Sequence, residues 1–343
     1  MARPKVLIGR DYSLNQIFDA VARRLGAQGC EVLRPAATTG WQVQDSADLL
    51  PEIDVLMISS RTPVSAAQLD SAGRLRGFVF ASIGTEAIDL AETNPRGLMV
   101  AHGPTPEGYI GIAEATVMLI AALLLDLPGK EKATRLNLPR PGPLDMRAQL
   151  VMGKTVGLIG LGRIARGVVD RLKGWQARII AYDPHLPADA FPPEVRRVDY
   201  ATLLAESDVI SVHVSLTDET RHMLGAAEFA QMKPGVFLIN TARGGAIDEV
   251  ALIEALKSGR VAGAALDVFN REPFQPDDPL RDLDNVILTS HMVGQTRQAN
   301  ESLVPVAVEN TMRIIRGETP IYVRNPEVME AWRRRLAGLP VYD

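Results

Sequence analysis

Along the first hundred residues, short apolar runs alternate with segments whose apolar positions recur every three or four residues. The runs Val6–Gly9, Glu31–Leu33, Val55–Ser59, Phe78–Ala81 and Leu98–His102 are predicted strands. Between them, Leu14–Leu25 and Ser65–Ala72 are predicted helices. Strands that alternate with helices in this way argue for a parallel, doubly wound sheet. The turn-rich stretch His102–Gly108 breaks the pattern and introduces a long helix, Tyr109–Leu127, apolar nearly all round and so expected to be buried. Pro128–Met152, with Pro139, Pro141 and Pro143 close together, reads as an irregular connection.

A second strand–helix series begins at Lys154. Its predicted strands are Thr155–Gly160, Arg178–Asp183, Val209–Val214, Val236–Thr241, Ala262–Phe269 and Asn285–Ser290. The helix Asp248–Ser258 has an acidic start and Gly259 behind it, as the helix dipole and C-cap preferences favour. Another helix is expected over Gln295–Arg316. Ile321–Val323 is then expected to return a strand to the first sheet, before a basic tail, Val328–Leu336, whose arginines are expected to face solvent. The pattern is that of two α/β units. The second is a continuous insertion, and the C-terminal residues complete the first, leaving a cleft where the chain crosses twice.

The first candidate chemistry lies at the start of the second series. Strand Thr155–Gly160 runs into Gly160, Leu161 and Gly162, and a helical stretch from Arg163 follows. Glycines there let the backbone turn tightly and approach a pyrophosphate, which the helix N-terminus attracts. Ala165 stands at the third glycine position, where the pattern tolerates it. Strand Arg178–Asp183 ends on Asp183, about 20 residues past the glycines, where a carboxylate accepts from the adenosine ribose hydroxyls. The same carboxylate repels a 2′-phosphate, and no arginine follows it directly. NAD is therefore expected rather than NADP.

Composition narrows the picture further. The 343 residues carry a net charge of −4 and no basic block, which speaks against a nucleic-acid or anionic-membrane partner. Cys30 is the single cysteine, so intrachain disulfides and cysteine-cluster metal sites are excluded. No signal-peptide core stands at the N-terminus, and the longest apolar stretch, Ala115–Leu125, is too short to span a bilayer. A cytoplasmic protein is expected.

Ligands of open α/β sheets bind beyond the carboxyl ends of the strands. In the second series those ends carry Arg243 after Val236–Thr241, Glu272 after Ala262–Phe269, and His291 after Asn285–Ser290. Hydride transfer to a 2-oxo acid needs a cation to hold the carboxylate and polarise the carbonyl, and the guanidinium of Arg243 offers a planar fork. It also needs a proton donor near neutrality, the chemistry of a histidine such as His291. A carboxylate on the far imidazole nitrogen, here Glu272, would orient the ring and favour its charged form.

Four strings carry a resemblance that covers nearly the whole chain: Gly157–Ala165, Asn240–Glu249, Ala264–Pro273 and Asn285–His291. Together they resemble the D-isomer-specific 2-hydroxyacid dehydrogenase family, such as the glyoxylate/hydroxypyruvate reductases and phosphoglycerate dehydrogenases. The resemblance implies two doubly wound parallel-sheet domains with a cleft between them. These would be a flavodoxin-like substrate domain over residues 1–101 plus 295–343 and a Rossmann NAD-binding domain over 102–294. It also implies that Arg243, Glu272 and His291 are catalytic. Asp267 would face the nicotinamide carboxamide, and Gly160, Gly162, Arg163, Ile164, Asp183, His213, Thr241 and Gly294 would line the cofactor. In the first domain it implicates backbone amides at Ile83 and Gly84, within the loop Ala81–Asp89, in binding the substrate carboxylate, with Arg61 in a neighbouring loop. A homodimer through the cofactor domain, with the helix Tyr109–Leu127 near its interface, is implied as well.

The chain departs from the family pattern in four places: Ser290 precedes the histidine instead of proline, Glu86 replaces the commoner Asp, Gly129–Met152 lacks the usual glycine–tryptophan pair, and His102–Gly111 is atypical. These bear on the substrate and on dimer geometry rather than on the reaction. Two other readings share the fold. An NAD-responsive corepressor-like binding protein could keep the same three residues, and a formate- or phosphite-type dehydrogenase would use a modified pocket.

Overall fold

The computed structural model describes residues 3–36 and 40–342. Its chain forms two compact units: unit 1, Met1–Gly108 with Thr296–Asp343, and unit 2, Tyr109–Gln295. Among the described residues, unit 1 is built on five parallel strands, β1 (Lys5–Ile8), β2 (Glu31–Leu33), β3 (Val55–Ile58), β4 (Gly77–Phe80) and β5 (Met99–Ala101), in the order β2-β1-β3-β4-β5. Helices α1 (Asn15–Ala27), α2 (Ala66–Ser71) and α3 (Leu90–Thr93) come from the first part of the chain.

Strands β1, β3, β4 and β5 are buried on both faces, so their apolar residues sort by parity. Val6, Ile8, Val55, Met57 and Val79 share one core with Phe18, Val21 and Leu25 of α1. Leu7, Leu56, Ile58, Phe78 and Phe80 share the opposite one with Trp41 and Leu69. The C-terminal segment supplies the rest of the first core, through α10 (Arg297–Arg316) and α11 (Met329–Leu336).

The tail differs from its expected solvated form. Trp332 is 1% exposed and its indole donates to the Arg76 carbonyl at 2.9 Å. Arg335, three residues on and so on the same helix face, donates to the carbonyls of Leu75, Ala72, Gly73 and Arg96. Arg333 and Arg334 alone keep the expected exposure. The expected strand Ile321–Val323 is reduced to one antiparallel bridge, Ala101 with Val323. Two backbone bonds flank it, from the His102 amide to the Tyr322 carbonyl at 3.2 Å and from the Arg324 amide to the Val100 carbonyl at 2.8 Å, and side-chain amides add to them: Asn310 accepts from the Ile321 amide at 2.8 Å and Asn325 from the Val100 amide at 2.9 Å.

Unit 2 carries β6 (Thr155–Ile159), β7 (Arg178–Tyr182), β8 (Val195–Arg197), β9 (Val209–Val212), β10 (Val236–Asn240), β11 (Val261–Leu266) and β12 (Val286–Leu288), all parallel, in the order β12-β11-β10-β9-β6-β7-β8. The order reverses between β6 and β9, at the glycine loop. The α-helices of this stretch of chain are α4 (Pro106–Leu124), α5 (Leu127–Arg135), α6 (Arg163–Leu172), α7 (Tyr200–Glu206), α8 (Ala226–Gln231) and α9 (Glu249–Lys257).

Helix α4 begins at Pro106, inside the stretch expected to be a turn, and is long and apolar enough by length and composition to cross a membrane. Ala113, Val117, Ile120 and Leu124 nevertheless pack into one core with Val156 and Leu158 of β6. Part of the expected irregular connection is helix α5, which has a proline in its first turn and Lys132 and Arg135 in its last, both favourable to helix ends. Edge strand β8 gave no signal because only Val195 of its three residues is buried.

Candidate active site

The glycine loop has the form its residues require. Gly160 lies at φ +87°, and a side chain there would meet the His213 carbonyl oxygen at 2.9 Å. Only glycine combines that left-handed backbone with that approach. Gly162 is the N-cap of α6 and offers no side-chain cap, and a Cβ built on it meets nothing within 4 Å. The first amides of a ten-residue helix thus have no side-chain cap, an arrangement that fits a pyrophosphate. Arg163 is exposed and Ile164 half-buried at the first two helical positions. Asp183 accepts from the Leu161 amide at 2.9 Å and the His185 amide at 3.1 Å, so it also fixes the loop.

On the other side of β6, His213 follows β9 and its Nε2 lies 2.9 Å from the Ser211 hydroxyl. Burial lowers its imidazole to about 4, so it is a neutral hydrogen-bonding group near neutral pH. Thr241 is 8% exposed, and its hydroxyl lies 3.2 Å from that of Thr116 on α4. Thr116 donates to the Ile112 carbonyl, which leaves Thr241 as the donor between the two hydroxyls. Gly294 rests against the same helical turn, where a Cβ would lie 2.4 Å from the Ile112 side chain.

The remaining chemistry is brought together by sheet register. Asn240 pairs with Leu266 and Leu266 with Leu288, so β10, β11 and β12 end side by side. Beyond β12, His291 adopts φ 56°, a left-handed conformation that histidine tolerates better than most residues. Its Nδ1–H donates to Glu272 Oε2 at 2.8 Å, and Glu272 Oε1 accepts from the Phe269 amide at 3.2 Å. Both side chains are partly buried, 33% and 18% exposed, which keeps this charge-assisted bond from full solvent screening.

Beyond β10, Arg243 is half-buried, and Nη1 donates to the Ala242 carbonyl at 2.6 Å. Asn240 clamps its loop, donating to the Arg243 carbonyl at 2.9 Å and accepting from the Ala242 amide at 3.0 Å. The next residue, Gly244, packs directly on the backbone of Phe269. The arginine loop and the glutamate loop are therefore in van der Waals contact.

Asp267 has a role beyond the one its position suggested. Its Oδ1 accepts from the Thr289 hydroxyl at 2.7 Å and from the amides of Met292 at 2.9 Å and Val293 at 3.1 Å. Its own carbonyl takes the His291 amide at 2.6 Å. One carboxylate and one carbonyl thus hold the histidine turn, although Ser290 replaces the proline usual before it. Asn240, within a motif string, could have been singled out in the sequence. Thr116 and Ser211 carry no signal there.

In unit 1, the loop that holds Ile83 and Gly84 is fixed from both sides. His102 Nδ1–H donates to the Ile83 carbonyl at 2.9 Å, and the Ser82 hydroxyl donates to the Gly84 carbonyl at 3.0 Å. Arg61 makes a two-point ion pair with Asp11.

Comparison with known proteins matches residues 118–293 to the family profile described as D-isomer specific 2-hydroxyacid dehydrogenase, NAD binding domain. A glyoxylate reductase from Thermofilum pendens is 34% identical over 339 residues, which are 96% of this chain and 97% of that protein. A D-3-phosphoglycerate dehydrogenase from Archaeoglobus fulgidus is 36% identical over 283 residues, 81% of this chain; the chain spans only 53% of that relative's length. Among solved structures, a 2-hydroxyacid dehydrogenase from Ketogulonicigenium vulgare superposes with a TM-score of 0.79 at 27% identity, covering 94% of this chain and 98% of that one.

Proposed function

This chain belongs to the D-isomer-specific 2-hydroxyacid dehydrogenases, a family of NAD-dependent enzymes, and we propose that it interconverts a small D-2-hydroxy acid and its 2-oxo acid. The observation that carries the reading is the His291–Glu272 hydrogen bond at 2.8 Å, set at strand ends beside the Arg243 loop and on the carboxyl side of a glycine loop that fits a dinucleotide.

When bound, NADH supplies the hydride that reaches C2 of the 2-oxo acid. Gly160, Gly162 and the α6 amides would hold its pyrophosphate, Asp183 the ribose, and Thr241, Asp267 and Gly294 the nicotinamide end. Arg243 holds the substrate carboxylate and polarises the carbonyl with its guanidinium fork. Protonated His291, fixed through Nδ1 by Glu272, gives its Nε2 proton to the alkoxide oxygen as the charge develops. In the oxidative direction the same nitrogen takes the hydroxyl proton. Asp267, which orients the histidine turn, acts on the reaction through His291.

Purified protein is expected to oxidise NADH with glyoxylate, hydroxypyruvate or a related 2-oxo acid, followed by loss of nicotinamide absorbance. No turnover across a broad panel would end the reading. NADH is expected to be favoured over NADPH by at least about tenfold in kcat/KM, because a 2′-phosphate would face the Asp183 carboxylate, and Asp183→Ser should narrow that ratio. Equal use of both cofactors by the unaltered enzyme would remove Asp183 as the selector.

Unit 2 also leaves large apolar side chains exposed at Ile110, Met118, Leu125, Leu136, Leu150 and Met152. A run of this kind along α4 and the segment after it supports a homodimer formed through this unit. Light scattering is expected to give twice the 37.2 kDa chain mass, and the monomer mass at micromolar concentration would refute it.

A further inference from the structure

Thr116 is the one polar residue in the apolar run Ala115–Leu125, and it is fully buried. A buried hydroxyl is costly unless it is hydrogen-bonded. Its proton goes to the Ile112 carbonyl at 2.8 Å, one turn back on α4. Its oxygen is left as an acceptor and faces the Thr241 hydroxyl at 3.2 Å. Thr241 is then the donor of that bond, so its own proton is directed at α4 and only lone pairs remain for a further partner.

Sheet register fixes where Thr241 lies along the cofactor edge. Ile159 pairs with Val212 and Val212 with Asn240, so Gly160, His213 and Thr241 follow one another past the ends of three adjacent strands. On the other side of β6, Ile159 pairs with Tyr182, which Asp183 follows. A dinucleotide whose pyrophosphate lies at Gly160 and whose adenosine ribose meets Asp183 must extend its other half toward β9 and β10. Neighbouring strands are about 4.8 Å apart, so Thr241 stands about 10 Å from the glycine loop, within reach of the nicotinamide half.

One turn of α4 backs this place. Besides Thr116 it carries Ile112, against which Gly294 packs so closely that a Cβ would lie 2.4 Å from the Ile112 side chain and 2.8 Å from its Cα. Beside Ile112, Ala113 meets α6, where a Cβ on Gly167 would lie 2.9 Å from that of Ala113. The helix is thus seated both on the pyrophosphate helix and on the turn after His291, and Thr116 reaches Thr241 from that support.

We propose that Thr116 is a positioning residue for the nicotinamide half of the cofactor: by taking the Thr241 proton it fixes that hydroxyl as an acceptor in one orientation. The inference rests on the reading of Thr241 as part of the nicotinamide end. A hydroxyl without such a partner rotates and presents proton or lone pair alike. Fixing it beforehand lowers the ordering cost when the cofactor arrives. The adenosine half, on the far side of β6, does not depend on the bond.

The test titrates NADH, and ADP-ribose, which lacks the nicotinamide, into the unaltered protein, Thr116→Val and Thr116→Ser by calorimetry. Valine keeps the branched shape and removes the acceptor. Its Kd for NADH is expected to rise by about 3- to 10-fold, the size of one hydrogen bond, with the Kd for ADP-ribose unchanged within about twofold. Thr116→Ser, which keeps the hydroxyl, should bind both ligands as the unaltered protein does. An equal loss for both ligands in Thr116→Val would mark Thr116 as structural only, and no loss for either would show the bond to be idle; each result overturns the proposal.

Thr241→Val closes the cycle. Because Thr116 acts through Thr241, adding Thr116→Val to Thr241→Val should raise the NADH Kd by no more than about twofold further. A full further loss of about 3- to 10-fold in that background overturns the proposal. Should Thr116→Val not fold, Thr116→Ala takes its place in every titration. None of these measurements uses a 2-oxo acid, so a protein that showed the selective loss yet reduced no 2-oxo acid would refute the proposed reaction and leave the role of Thr116 standing.

Discussion

His291→Asn is expected to lower kcat for 2-oxo acid reduction by about 10²- to 10⁴-fold, with NADH affinity, read by fluorescence titration, unchanged within about twofold. Asparagine suits the test because it tolerates the left-handed backbone at φ 56° that most residues would strain. It can still hydrogen-bond to Glu272 but has no labile proton for the alkoxide. Retained kcat would remove His291 as the proton donor. Loss of NADH binding would mean that the substitution had disturbed the fold instead.

The second large effect is expected at a residue with no side chain. In Gly244→Ala the new methyl would lie 2.1 Å from the Phe269 carbonyl carbon and 2.2 Å from its oxygen. Backbone cannot swing aside as a flexible side chain can, so the arginine loop and the glutamate loop must part. We expect a loss of about 1–3 kcal/mol in stability from overpacking. Because Arg243 precedes the glycine and Glu272 follows Phe269 by three residues, kcat/KM should fall by about 100-fold as the two are misplaced. A variant that melted and turned over like the unaltered enzyme would show that the contact is not needed.

Much of this site is legible in the sequence, and the reason is local. Gly160, Gly162 and Asp183 belong to one βαβ unit, so their spacing is set by a turn, a helix and a strand. Arg243, Glu272 and His291 are each placed by the end of a strand, and parallel register brings those ends level. The apolar parity of β1, β3 and β4 marked the buried strands to within a residue or two for the same reason.

What was not legible depends on partners distant in the chain. Asp11 and Arg61 are 50 positions apart and Thr116 and Thr241 are 125 apart, and in neither pair does one residue announce the other. Arg335 reads as one of three surface arginines until the carbonyls of Ala72, Gly73, Leu75 and Arg96 are folded beneath it. Strand β8 is short and two-thirds exposed, so no apolar pattern marked it. Helix α5 lay hidden by the prolines around it, one of which sits in its first turn, where it favours the helix.

The split composition of unit 1 bears on how the protein is made. Unit 2 is contiguous, so all of its strands have been synthesised before Thr296 is reached. The first 108 residues emerge earlier but lack α10 and α11, and until these arrive one side of the Val6, Ile8, Val55 and Met57 face has only α1 to cover it. The amino-terminal segment must therefore wait, partly open, through the synthesis of nearly two hundred further residues, and Trp332 and Arg335 seal it only after α10 has been made.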